Sequence, residues 1–168
     1  MLLGLSLRPK DPAGILALGI AYFRAKDYDS ALKWLKQAVP SMATAADAHF
    51  YLGRIARQES NLDEATREFK QSLLMRPDSA DVLAELGQVY VVNRDYSKAT
   101  PCFDRAIQLD PDNYAANFGL LQLYARTGDQ RRDLQSKRFD EIKAKKEQRD
   151  REMMRTIEIR RDTGSGNL

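Results

Sequence analysis

The chain has 168 residues, 43% apolar and 30% charged, with 27 Lys and Arg against 24 Asp and Glu, which leaves room for one domain and excludes both a multidomain machine and a disordered chain. No apolar run approaches the roughly 20 residues that span a bilayer, and Met1 to Leu7 lacks the basic start and apolar length of a signal peptide, so a cytoplasmic location is the default expectation, with an excerpt of a longer, exported protein as the alternative. One cysteine, Cys102, and one histidine, His49, exclude an internal disulfide and every multi-cysteine metal site, and a net charge of +3 is too small to mark a nucleic-acid binder.

Residues 1–11 open the chain in phase with its later segments, since Pro9 lies 34 residues before Ala43 and 68 before Pro77. They read as the tail of a preceding repeat, which makes the chain an expected excerpt of a longer array. The competing reading is an apolar edge, Leu2, Leu3, Leu5 and Leu7, that docks on a second copy.

A first unit, 12–45, holds Ile15, Leu18, Ala21 and Tyr22 at helical spacing, then Ala31, Leu32, Leu35 and Ala38, so it forms two helices with one apolar stripe each. Pro40 comes three residues before the closing slot, where Ala43 stands, and predicts a short second helix. The same pattern returns in 46–79 and 80–113. Gly19, Gly53 and Gly87 are 34 apart, as are Ala31, Ala65 and Ala99, and Leu35, Phe69 and Phe103. The glycine is expected where the first helix presses on the second, and the alanine keeps that crossing narrow. Asp27, Asn61, Asp95 and Asp129 recur where a side-chain oxygen caps the next helix, with Glu64 completing a capping box. Pro77 and Pro111 end the second and third units.

Residues 114–128 supply the first helix of a fourth unit. Beyond them, Asp133, Lys137 and Asp140 stand where Ala, an aromatic and Ala are due, so the repeat is expected to end there. Residues 129–162 read as a charged capping helix, with twelve Lys or Arg against seven Asp or Glu between Arg131 and Arg161. Leu134, Phe139 and Ile142 are its early apolar contacts; helical throughout, it would reach about 50 Å. Alternation from Thr156 to Arg161 leaves a short extended segment open, and 163–168 is expected to be a disordered tail.

These slots resemble the tetratricopeptide repeat (TPR) family, with Leu83, Leu86, Gly87, Tyr90, Ala99, Phe103, Ala106 and Pro111 filling every consensus position of the third unit. His49 and Ala56 are departures in the second. The resemblance covers residues 12 to about 128 and implies an all-α, right-handed α-solenoid of three full units plus a partial fourth, with its first helices on the concave side.

Mapped through that resemblance, the inward positions are Leu16, Ile20, Phe23 and Arg24, then Phe50, Tyr51, Arg54, Arg57 and Gln58, then Glu85, Gln88, Val91 and Val92, then Phe118, Gln122 and Arg126. Aromatic and Arg side chains are what interfaces favour. A bland alternative is that Leu16, Ile20 and Phe23 only pack between units. The family's clamp for a terminal carboxylate is absent: its slots hold Leu16, Ile20, Tyr51, Asp81 and Glu85, or one unit later Phe50, Arg54, Glu85, Ala115 and Gly119. The glycines are single and far apart, unlike a phosphate loop, and His49 and Cys102 have no catalytic partners in the pattern. The expectation is therefore a scaffold without enzyme activity, cofactor or metal, holding a partly acidic partner segment. Two alternatives remain: the basic 131–161 segment on nucleic acid or an anionic membrane, against which its interleaved acids count, and self-assembly through the apolar start or through Met153, Met154 and Ile157.

Overall fold

The computed structural model describes the backbone of residues 11–164 and the side chains of residues 11–156. The in-phase opening stretch before Asp11 and the end of the expected tail lie outside the described residues. Within them, eight helices succeed one another: α1 Pro12–Arg24, α2 Tyr28–Ala38, α3 Ala45–Gln58, α4 Leu62–Met75, α5 Ala80–Val92, α6 Tyr96–Leu109, α7 Tyr114–Thr127 and α8 Arg132–Gly164. No strand occurs among the described residues.

The repeated small residues explain the pairing. Ala31, Ala65 and Ala99 are fully buried, as are Leu35, Phe69 and Phe103 four residues on. A Cβ built on Gly19, Gly53 or Gly87 would lie 2.8 Å from Leu35 Cγ, 2.7 Å from Phe69 Cδ1 and 2.6 Å from Phe103 Cε1. The glycine slot thus receives the large side chain of the partner helix, and only a missing side chain lets it in. Hairpin then stacks on hairpin. The first helices α1, α3, α5 and α7 touch one another in sequence, whereas α2, α4 and α6 do not, so the array is a solenoid whose first helices form the closer, inner row.

Caps and turns keep to the repeat less uniformly. Asp27 accepts from the Ser30 N–H at 3.1 Å and Asn61 from Glu64 N–H at 3.2 Å. Asp95 instead takes Ser97 Oγ and Lys98 Nζ, and Glu64 turns to Arg67 rather than back to Asn61, so the expected capping box is only half made. One residue before these caps, Lys26, Ser60, Arg94 and Gly128 all adopt φ near +60°. This 34-residue periodicity in the backbone has no counterpart in residue type, because only the fourth unit uses glycine. As Pro40 predicts, α2 has 11 residues against 14 for α4 and α6. Pro101 lies inside α6, on its exposed face, a position the repeat pattern does not anticipate.

The long charged helix α8 follows the partial fourth unit. After Gly128, two extra turn residues delay the start of α8 to Arg132, and in that shifted frame Phe139 takes the aromatic slot and Ile142 the next small one. Phe118 meets Phe139 at 5.3 Å between ring centroids, the counterpart of Phe50 and Phe69 at 6.2 Å. Phe139 and Ile142 are buried, and Gln135 Nε2 donates to the buried Asn117 through its carbonyl O and Oδ1. α8 therefore covers α7 with its first turns, in a frame shifted by two residues from the repeat, and runs on past Lys145. It stays helical to Gly164, so the short extended segment at 156–161 does not form and the expected tail loses its first two residues to the helix.

The core falls into two clusters. One cluster of buried residues runs from Ala56 and Phe69 through Phe103 to Tyr124; a smaller one joins Ala31, Leu35, Leu52 and Ile55. The two meet in the second unit, where His49 Nδ1 and Glu68 Oε2 lie 2.7 Å apart. The first and third units carry Ile15 with Trp34 and Leu83 with Cys102 in those slots. A polar pair there interrupts the apolar stripe.

Candidate functional site

On the inner row, the ends of α1 and α3 and the start of α2 bring aromatic and basic side chains together between the first two units. Arg54 is the centre. Its guanidinium carbon lies 4.7 Å from the Phe23 ring centroid, 5.6 Å from Phe50 and 5.8 Å from Tyr51, within the range where a cation gains from ring faces. The rings hold one another edge-on, with Tyr51 5.2 Å from both Phe23 and Phe50, and Tyr28 of α2 adds a fourth ring 5.8 Å from Phe23. These rings are rigid and half-buried, a surface that needs little further ordering to bind.

Glu85, from α5 of the next unit, reaches across to the same place. Its Oε1 lies 3.3 Å from Arg54 Nε and its Oε2 3.0 Å from Arg57 Nε. The distances are those of ion pairs, but neither Nε–H is directed at an acceptor, and both nitrogens are closed off from solvent. Beside them opens a cavity of about 280 Å³, lined by Phe23 and Tyr28, by Gln58, and by four cations, Arg24, Lys26, Arg54 and Arg57. No acidic side chain lines it.

The remaining inward positions divide. Leu16 is half-buried and packs on the smaller core cluster with Phe23 and Tyr51; Ile20 is half-buried beside them on α1. Val91, mapped as inward, is 1% exposed and belongs to the core, whereas Val92 is 52% exposed. Gln88 lies over Gly119, where a Cβ would come within 2.8 Å of its Nε2 and 2.3 Å of Phe103 Cε1. Phe118 is engaged with Phe139 of α8; Gln122 is half-buried, and Arg126 is exposed near the end of α7.

Two residues complete the cluster in ways the repeat pattern does not disclose. Tyr28 is absent from the inward positions because it stands on a second helix. Glu85 is among them, but its pairing with arginine is not apparent from the pattern; the signal is its position 31 residues after Arg54, one repeat less nearly a helical turn.

Elsewhere, a cleft of about 400 Å³ between α2 and α3–α4 holds the His49–Glu68 pair with Glu59, Glu64 and Lys36 on its walls. The Cys102 thiol is pushed up to about 11 by burial, which keeps it protonated and unreactive at neutral pH. No cluster of metal-ligating side chains occurs among the described residues, and no described helix is long and apolar enough to cross a membrane.

Two sequence-family models, both described as tetratricopeptide repeat, match residues 4–45 and 80–113. No curated protein matches the chain significantly. Among solved structures it is similar to MamA, with 24% identity over 88% of this chain and 85% of that one and a TM-score of 0.68. MamA from Desulfovibrio magneticus RS-1, residues 41 to the end, gives 18%, 84%, 79% and 0.66. Human IFIT1, solved as a dimer with m7Gppp-AAAA, gives 18% identity over 80% of this chain and a TM-score of 0.68, but the match spans only 34% of the IFIT1 chain. At such identities the likeness is one of fold.

Proposed function

Since the chain belongs to the tetratricopeptide repeat family, a family of generally non-catalytic protein-interaction scaffolds, we propose that it holds a partner segment, apolar and partly acidic, on its inner wall at the junction of the first two units. The observation that carries this reading is the ring-walled cavity with four cations and no acid on its lining. An apolar side chain is offered the faces of Phe23 and Tyr28, and a carboxylate the guanidinium N–H groups, so one short segment satisfies both.

Replacing Arg54 and Arg57 together by Gln, or Tyr51 by Ala, is expected to abolish capture of a cross-linked partner from the source cell while circular dichroism stays helical. Unaltered capture by both variants removes the site.

The charge pattern of α8 supports a protein rather than a nucleic-acid partner. Among the described residues, Arg132, Arg138, Lys145 and Lys146 of α8 each lie near an acid, Lys146 with Asp150 at 2.7 Å and Lys145 with Asp112 at 3.0 Å, and acids interleave with the other bases along the helix, which counts against a uniform basic face for phosphates. The capped oligonucleotide belongs to IFIT1 and carries no weight here at 18% identity.

A further inference from the structure

We infer that the Arg54–Arg57 pair is a binding site for an aspartate or glutamate side chain of the partner, and that Glu85 occupies it in the unbound chain as an internal competitor. The inference rests on the groove reading above and adds to it the identity of the contacting group and a built-in restraint on its affinity.

A tight arginine–carboxylate pair sets two parallel N–H groups of one guanidinium against two carboxylate oxygens. The Glu85 carboxylate does something different. It spreads over two guanidiniums, one oxygen toward each Nε at 3.3 and 3.0 Å, and neither Nε–H finds it along the bond direction. Among the described residues, no hydrogen bond of good geometry is made by any nitrogen of Arg54 or Arg57. Two positive charges thus share one negative charge through their inner nitrogens, and their outer N–H edges are left for another acceptor.

The surroundings say which acceptor. Glu85 itself demonstrates that a carboxylate fits between the two arginines. Arg24 and Lys26 add positive charge at the mouth of the cavity, and Phe23 and Tyr28 give an apolar wall for whatever carries the anion. An acidic residue next to an aromatic or aliphatic one matches both. Because Glu85 is on α5 and the arginines are on α3, its carboxylate swings aside by side-chain rotation with the helices in place. Displacement by a partner then exchanges a poorly directed pair for well-directed ones and frees Glu85 to water.

The experiment tracks the Nε–H resonances of Arg54 and Arg57 in the ¹⁵N-labelled full chain while phenylacetate is added, with phenylacetamide as the neutral isostere and inorganic phosphate as the competing anion. In Glu85→Gln, phenylacetate is expected to shift both resonances saturably and to bind about two- to fivefold more tightly than in the parent chain, the range that a modest, partly exposed ion pair is worth. Glu85→Ala is the second variant, expected to behave alike, and Arg54→Gln/Arg57→Gln is expected to bind nothing. Equal or weaker binding in both Glu85 variants, equal shifts with phenylacetamide, or preference for phosphate overturns the inference. If those results come while partner capture still depends on the arginines, the groove reading stands and only the competition by Glu85 falls.

Discussion

Phe139 of α8 packs on Phe118 of α7 at 5.3 Å, in the relation that Phe69 has to Phe50 two units earlier at 6.2 Å. The last helix is therefore pinned by the ring contact that α4 makes in the second unit, displaced by two residues, whereas the first and third units carry Leu16 and Ala84 in the slot of Phe50. In a solenoid each hairpin is stabilised by its own pairing and by its neighbour. Phe139→Ala should then undock α8 without disturbing the units before it, costing about 3 kcal/mol at that contact. Amide exchange is the check: protection is expected to fall from Arg132 to Lys145 and to persist in α3 to α6.

The four turns that link first to second helices share one left-handed residue, and three of the four carry a side chain there, Lys26, Ser60 and Arg94. A side chain in that conformation costs about 1–2 kcal/mol, partly offset by the extra unfolded-state entropy of glycine. Ser60→Gly and Arg94→Gly are each expected to raise stability by about 0.5–1 kcal/mol, seen as a higher urea midpoint with an unchanged slope. Gly128→Ala, at φ +67°, should move the midpoint the other way.

Gly119 is enclosed more tightly than the glycines at the 34-residue step, since an added Cβ would fall 2.3 Å from Phe103 Cε1 and 2.4 Å from its Cζ. Phe103 is fully buried and has nowhere to go. Gly119→Ala is expected to destabilise the chain by about 1–3 kcal/mol, measured by thermal unfolding, and to loosen Gln88, which lies over the same backbone.

Acid should release α8 before it unfolds the array. Asp129 is held down to about 2 by its side-chain hydrogen bond to Arg131, and Asp112 is lowered first by its hydrogen bond to Lys145. Asp112 ties α8 to the end of the third unit, and Asp129 fixes the turn that leads into it. A depressed folded value means that the stabilisation is complete above the ordinary carboxylate range and disappears as pH falls through the folded value, so the window lies between about pH 4 and 2. Loss of α8 protection in that window is expected, and Asp129→Asn with Asp112→Asn should show the same loosening at pH 7.

The hairpins were legible in the sequence because glycine, alanine and a large apolar residue, Leu35, Phe69 or Phe103, recur at a fixed step, and each is set by the close packing of one helix on the next. The two-residue shift of α8 was not, since a strict 34-residue step lands on Lys137 and Asp140, although Phe139 and Ile142 stand out as apolar positions of the charged helix. Backbone geometry at Lys26, Ser60 and Arg94 left no trace in residue identity, because the turn imposes its dihedral on whatever stands there. Part of the inner wall could be listed from the repeat: Phe23, Phe50, Tyr51, Arg54 and Arg57 do come together. Their union with Glu85 and Tyr28 could not, as it depends on how far one hairpin is rotated on the next. Val91 shows the same limit in reverse, facing the core where the step alone placed it on the groove.

The most direct test of the central claim is site-specific photo-crosslinking in the source cell, with the reactive residue placed at Gln58 or Val92 on the inner wall, or at Lys70 or Gln71 on exposed positions of α4. Adducts of one partner from Gln58 and Val92, lost on Arg54→Gln/Arg57→Gln, and none from Lys70 and Gln71, are the predicted result. Adducts from Lys70 and Gln71 alone would contradict an inner-wall site.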